Sequence, residues 1–332
     1  MVRKISRFIK LLLLLGVLAS AGLAYYATRP LSLAHAPVDF EIARGDSMKV
    51  ISQRVADAGV EVWPPLLTWG ARLSGHAIRI KAGDYRIEKP ISLWDLIGML
   101  STGANAYADL TLVEGWNFAR ARATMNAHPD LRHDTLGLSD EEVMQRLGLA
   151  GQRAEGLFFP DTYSFGRGSS DLDLLRRAYA RMSHLLEQAW QARASGLPLK
   201  TPYEALVLAS VVEKETGAAQ DRPLIASVFI NRLKAGMPLQ SDPTVIYGMG
   251  PNFDGNLRKR DLQADGPFNS YLRKGLPPTP IALPGRAALQ AVLNPPASSY
   301  LYFVARGDGS SAFSRTLEEH NRAVSKYQKG GK

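Results

Sequence analysis

A chain of 332 residues with 45% hydrophobic and 21% charged residues can bury more than one core and is too apolar to stay unfolded. A formal net charge of +9 and a pI near 9.7 favour polyanionic partners. The Lys and Arg residues are scattered and no run alternates them with aromatics, so a solvated basic surface is expected and nucleic-acid binding is not. The lack of cysteine excludes disulfides, thiolate metal sites and a cysteine nucleophile; six histidines without HxxxH spacing argue against zinc, and no cofactor is called for.

The N-terminus carries Arg3, Lys4, Arg7 and Lys10, then LLLLLGVLASAGLAYYA over Leu11–Ala27 without a charge. Its length is at the low end for a membrane-spanning helix, extendable if Lys10 snorkels, with Tyr25 and Tyr26 as an interfacial anchor. The preceding positive cluster predicts a cytoplasmic N-terminus and everything after Arg29 across the membrane. A cleaved signal peptide, with a small-residue site at Ala19–Ala21, is the competing reading. The expected division is a tip and anchor over 1–29, a spacer over 30–38, a small α+β module over 39–105 and a larger mixed domain over 106–332.

In the module, DFEIARGDSMKVISQRVADAGV reads as a strand, a turn and a helix capped by Ser47, with Val50, Ile51 and Val55 on one face. Pro64 opens a second helix with Leu66, Leu67, Trp69 and Leu73 as apolar positions. IRIKAGDYRIEKPISLWDLIGMLSTG predicts strand, Gly-Asp turn, strand, and a helix from Ser92 to Gly103. The element order resembles a LysM domain, a glycan-binding module; a packing module that only spaces the next domain is the alternative.

ADLTLVEGWNFARARATM then predicts strand, turn and helix, followed by a polar helical stretch over 136–149. EGLFFPDTYSFGRG, 155–168, is aromatic-rich and broken by Pro160. As an exposed loop it would stack sugar rings, with Phe159, Asp161 and Tyr163 as contacts. The alternative is a loop folded over the core with Asp161 as a local cap. A long amphipathic helix over 171–194 should place Leu172, Leu175, Tyr179, Met182, Leu186 and Trp190 in the core.

TPYE, Thr201–Glu204, is a helix-start signal with Thr201 as N-cap, Pro202 in first position and Glu204 closing a capping box. The helix runs through ALVLASVVEKET, apolar nearly all round, and should stop at Gly217. Both terminal acids, Glu213 and Glu215, have apolar neighbours, so helical period does not choose between them. Such a carboxyl resists ionisation and can protonate a leaving oxygen. Glutamates merely solvated, or paired with Lys214 or Arg222, are the plain alternative. FINRLKAGMPLQSDPTVIYGMG, 229–250, is dense in residues that bind: Asn231, Gln240, Ser241, Asp242, Thr244 and Tyr247 suit sugar hydroxyls and acetamides. The later Pro- and Gly-rich stretches suggest rigid loops shaping a cleft, and YLYFVA from Tyr300 a buried strand.

These stretches resemble the YceG-like family of endolytic murein transglycosylases. The matching motifs are FFPDTY at 158–163, ASVVEKET at 209–216, SVFINRL at 227–233, LQSDPTVIYGMG at 239–250, GLPPTPIALPG at 275–285 and YLYFVA at 300–305, in the family's order. The resemblance implies a lysozyme-like mixed catalytic domain that cleaves the N-acetylmuramic acid to N-acetylglucosamine β-1,4 bond without water, leaving 1,6-anhydro ends. It implies Glu215 as the catalytic carboxyl. It also implies a single-pass protein of the inner membrane with a periplasmic catalytic domain, nascent peptidoglycan strands as substrate and peptidoglycan synthases (penicillin-binding proteins) as partners. Asp242 is the candidate second carboxylate, which keeps a hydrolytic muramidase open, as does a non-catalytic glycan-binding or scaffold role.

Overall fold

The computed structural model describes residues 24–103, 107–215 and 218–328, with Leu15, Gly22 and Gly330 as isolated positions. The expected membrane span, Leu11–Ala27, lies largely outside the described residues, as does the expected stop at Gly217. Among the described residues no helix is long and apolar enough to cross a membrane. The chain forms two compact units, Met1–Ala108 with Ser164–Arg167, and Asp109–Tyr163 with Gly168–Lys332. Both mix helices and strands.

In the first unit β1 (Val38–Ile42) pairs antiparallel with β2 (Gly83–Ile87), setting Phe40 opposite Tyr85. Their rings stack at 5.3 Å, and the Tyr85 hydroxyl, buried, donates to the carbonyls of Lys81 at 2.6 Å and Leu100 at 3.1 Å. Three helices close this core: α1 (Met48–Asp57), α2 (Pro64–Leu73) and α3 (Leu93–Thr102). Ser47 and Ser92 cap α1 and α3 as expected, accepting from Val50 N and Asp95 N. Several details differ from the sequence reading. Val50 is exposed; the face α1 buries is Met48, Ile51, Ser52 and Val55. On α2 only Leu67 and Ala71 are buried, while Trp69 and Leu73 face outward. The expected strand at Ile78–Lys81 does not form, and Gly83-Asp84 opens β2 instead of making a turn. The expected spacer is part of the core: Leu31 and Val38 are buried, and Leu31 N donates to Ile91 O at 2.9 Å.

β3 (Tyr107–Thr111) and β4 (Thr162–Gly166) form a two-stranded sheet. The second unit continues with α4 (Phe118–Asn126), α5 (Asp140–Arg146), whose Ser139 and Glu142 make a full capping box, and α6 (Asp171–Gln191). Leu172, Leu175, Ala178, Met182 and Leu185 form the buried stripe of α6, so Tyr179, Leu186 and Trp190 sit at its edge. At the centre is α7 (Pro202–Glu215), buried from Ala205 through Val212. Packed on it are α6, α8 (Arg222–Lys234), α9 (Asp242–Met249) and α11 (Arg286–Leu293), after the short α10 (Lys259–Gln263). A helix apolar on all sides has no solvent face, which is why α7 takes the middle. β5 (Tyr302–Ala305), β6 (Ser311–Ser314) and α12 (Leu317–Tyr327) complete the unit. YLYFVA is not a buried strand: in β5 only Val304 is buried, because the sheet has just two strands.

The aromatic loop also differs from an open stacking platform. Phe158, Phe159, Tyr163 and Phe165 are all buried. Phe158 stacks on Phe118 at 4.9 Å, Phe159 N donates to Ala178 O at 3.0 Å, and the Tyr163 hydroxyl donates to Phe159 O at 2.6 Å. Asp161 accepts from Thr162 N at 2.8 Å and pairs with Arg181 at 2.5 Å. Phe159 and Tyr163 therefore serve the core, and Asp161 caps the loop.

Candidate active site

Three consecutive side chains at the end of α7 go three ways. The Glu213 carboxylate accepts from Gly285 N at 2.9 Å and faces Arg222 at 3.4 Å. Lys214 reaches Gly115 O at 3.4 Å. Glu215 accepts one short hydrogen bond, 2.6 Å, from the Ser241 hydroxyl. Burial raises both carboxyls above the ordinary range. For Glu215 it does so to about 7; the Ser241 hydrogen bond and the Arg232 charge oppose the rise, and the Asp242 charge adds to it. Glu213 is tied to a backbone amide and a guanidinium. Glu215 keeps an oxygen free of either and holds its proton near neutrality, as a general acid must.

The turn that aims Ser241 is built from the LQSDPT stretch. Among the described residues Gln240 is the non-glycine residue with positive φ, 52°, a conformation that costs of order 1–3 kcal/mol and persists only when its surroundings impose it. Its N donates to Ser270 O at 2.9 Å, and its Oε1 accepts from Arg232 at 3.2 Å. Arg232 is buried and also donates to Leu301 O and Leu239 O, both at 2.7 Å. Ser241 N donates to Ser270 Oγ at 2.9 Å, Ser270 and Thr244 share a hydroxyl contact of 2.8 Å, and Thr244 donates to Ser241 O at 2.7 Å. Ser241 and Thr244 are fully buried, so they shape the site from behind. Asp242 is exposed and accepts from the Tyr271 hydroxyl at 2.5 Å. Asn231 is occupied elsewhere: its amide donates to Ser298 O and Tyr300 O, both at 3.0 Å.

A cleft of about 1060 Å3 opens within the second unit, large enough for several sugar rings. Trp116, Arg120, Arg153, Tyr247, Phe253 and Phe268 give it aromatic faces and cationic groups. Lys214 and Pro243 line it, so it reaches the chain neighbours of Glu215 and Asp242; Glu215 itself is not on the lining. Of the sequence-predicted contacts, Tyr247 is the one that lines the cleft. Gln240, Ser241, Asp242 and Thr244 gather at Glu215 and its supporting turn, and Asn231, Phe159, Asp161 and Tyr163 stand apart.

Glu155 was given no role by the sequence, yet it lines the cleft while only 9% exposed. It accepts from Phe118 N and from the Tyr247 hydroxyl, both at 3.0 Å. Burial pushes it up to about 7, with the Tyr247, Phe118 and Gly156 hydrogen bonds opposing. Its partners stand 37 and 92 positions away in the chain, so no local sequence signal marks it.

A model of the YceG-like family matches residues 40–326. A protein of Bacillus subtilis named endolytic murein transglycosylase is 31% identical over 307 residues, covering 87% of this chain and 84% of that protein. One of the same name from Streptococcus pneumoniae is 28% identical over 321 residues, 86% of this chain but 57% of the relative, so the chain spans little more than half its length. A solved structure of a YceG-like protein from Listeria monocytogenes superposes with a TM-score of 0.57 at 28% identity, over 86% of this chain and 98% of that one.

Proposed function

The chain belongs to the YceG-like family, and from that premise we propose that it is a lytic transglycosylase that cuts peptidoglycan glycan strands internally. The observation that carries the mechanism is the carboxyl of Glu215, raised to about 7 and held by the Ser241 hydroxyl at 2.6 Å. The protonated carboxyl gives its proton to the oxygen that leaves C1 of N-acetylmuramic acid. The 6-hydroxyl of the same sugar then bonds to C1, and its proton returns to the Glu215 carboxylate. One bond breaks, one forms, the acid is regenerated and water is not consumed. A single carboxyl suffices, whereas ordinary glycosidases use two. The Tyr247 hydroxyl and the aromatic rings of the cleft supply sugar contacts.

In this reading the apolar run Leu11–Ala27 anchors the chain in the inner membrane with its basic tip in the cytoplasm and the cleft in the periplasm. The first unit is then the LysM-like module, and peptidoglycan synthases that make nascent strands are the natural partners. Support for the anchor is the charge pattern; support for the module is its order of strand, helices, strand and helix.

Uncrosslinked glycan strands digested with the chain and with Glu215→Gln, read by mass spectrometry, test the proposal. Cleavage should yield ends lighter by roughly one water, and the variant should lose about 10^2–10^4-fold or more of the rate. Ends of full mass would assign hydrolysis and bring in Asp242 as the base. Equal cleavage by both forms would acquit Glu215, and no cleavage by either would leave a binding protein.

A further inference from the structure

We propose that the first unit carries a bilayer-docking face, formed by Trp69, Leu73, Ile78 and Trp94, that seats in the interfacial layer of the membrane. The inference rests on the anchor reading above. These side chains are apolar and turned to water: Leu73 is 80% exposed and Ile78 is 92% exposed, and Trp69 and Trp94 are more than half exposed. Trp69 and Leu73 are among the apolar positions of α2, yet the core takes Leu67 and Ala71 from the opposite side of that helix.

The residues adjoin. Trp69 and Leu73 are one turn apart on α2. Between them Gly70 abuts Ile97 of α3, and Trp94 lies one turn before Ile97. The Trp94 ring meets the His76 ring edge-on at 6.0 Å, and His76 stands two residues before Ile78. Large apolar side chains left exposed on neighbouring segments in this way mark an interaction site.

Two observations choose a bilayer as its occupant. The first is where the apolar run enters the unit. Residues 24–28 are helical, Tyr26 and Ala27 pack on this unit's core, and the Tyr26 hydroxyl accepts from Trp63 N at 3.2 Å. Trp63 is itself exposed and directly precedes Pro64, the first residue of α2. The segment read as the anchor therefore arrives beside the helix that presents Trp69 and Leu73. The second is the chemistry. Tryptophans favour the headgroup level, and Leu and Ile gain most from acyl chains. Arg72 stacks on Trp69, Arg29 stacks on Tyr26, and Arg79 follows Ile78, which places cations for anionic headgroups. A sugar site needs polar groups aimed at hydroxyls, and Leu73 and Ile78, its most exposed members, offer none.

The cysteine-free chain admits single labels. Leu73→Cys and Ile78→Cys, with Gln188→Cys in the second unit as control, would each carry an environment-sensitive fluorophore. The full chain is reconstituted in vesicles of phosphatidylethanolamine and phosphatidylglycerol. Labels at 73 and 78 should shift to the blue and lose intensity when nitroxide lipids are included; the label at 188 should do neither. Carbonate-resistant chain with all three labels in water would overturn the docking face and leave the anchor standing. Chain washed off by carbonate would overturn the anchor and the face with it. A shift that appears only with added N-acetylglucosamine oligomers, without nitroxide quenching, would overturn the face in favour of sugar.

Discussion

Glu213 and Glu215 end the same helix, and burial raises both, yet what each touches separates them. Glu213 holds the backbone at Gly285 and the Arg222 guanidinium; Glu215 holds a single hydroxyl. The sign of the pH dependence follows. The proposed transfer needs protonated Glu215, so kcat/KM should fall as pH rises through about 7. Ser241 lowers the Glu215 pKa by bonding the charged form; Ser241→Ala should move that alkaline limb to higher pH. The Asp242 charge raises it, so Asp242→Asn should move the limb to lower pH. Rate profiles of the two variants shifting in the same direction would sink this assignment. Folding follows the same sign. Glu155 and Glu215 both have folded pKa values above the ordinary carboxylate value, so the neutral forms favour the fold. That contribution is whole below the ordinary value and is lost as pH rises to about 7. The melting temperature should drop between about pH 5 and pH 8, and Glu155→Gln should drop less. The role of Glu155 was not legible in the sequence because its partners are 37 and 92 positions away, and no local pattern encodes them.

Helix α7 shows what a sequence states well. Its cap, its proline and its unbroken apolar run dictate a buried helix, and Thr201 Oγ1 does accept from Glu204 N at 3.2 Å. The Glu204 carboxylate takes Lys200 N at 2.5 Å, one residue outside the expected box. Its polar exception is Ser210, fully buried, which donates to Val207 O at 2.7 Å and accepts from Ile281 N at 2.9 Å. Ser210→Ala would orphan the Ile281 amide in the core at a cost of about 1–3 kcal/mol. Thermal denaturation should show the loss, and an unchanged melting temperature would mean that the Ile281 amide finds another acceptor. Gly156→Ala should cost more. Gly156 has φ of +80°, and a Cβ there would run into the Pro280 ring, which is backbone-bound and cannot yield as a flexible side-chain end would. Where the sequence misled, the element was short or two-sided. For α2 the apolar positions surround the helix, and period cannot say which arc meets the core. The FFPDTY loop carries its aromatics inward because α4 and α6 lie against it, and those are distant in the chain.

The two units each have a core of their own, and this sets how a defect should spread. Leu67, fully buried among Leu96, Ile97 and Val55 in the first unit, is the counterpart of Leu208 in the second. Leu67→Ala removes about 2–5 kcal/mol from the core it belongs to. Domains built on separate cores open as separate cooperative units, so the loss should be confined to the first. Hydrogen exchange in the Leu67→Ala chain should quicken at amides of α1 and α3 and remain unchanged at α7 and α11. Digestion of soluble glycan, proposed for the second unit, should proceed at the unaltered rate. The sequence reads as a small α+β module over 39–105 and a larger mixed domain over 106–332. It did not show that the supposed spacer supplies Leu31 and Val38 to the first core, since a segment with two prolines and small residues carries no period. Exchange that quickens in both units alike would mean that the chain is one cooperative body, and that a lesion in the first unit reaches Glu215 through the fold itself.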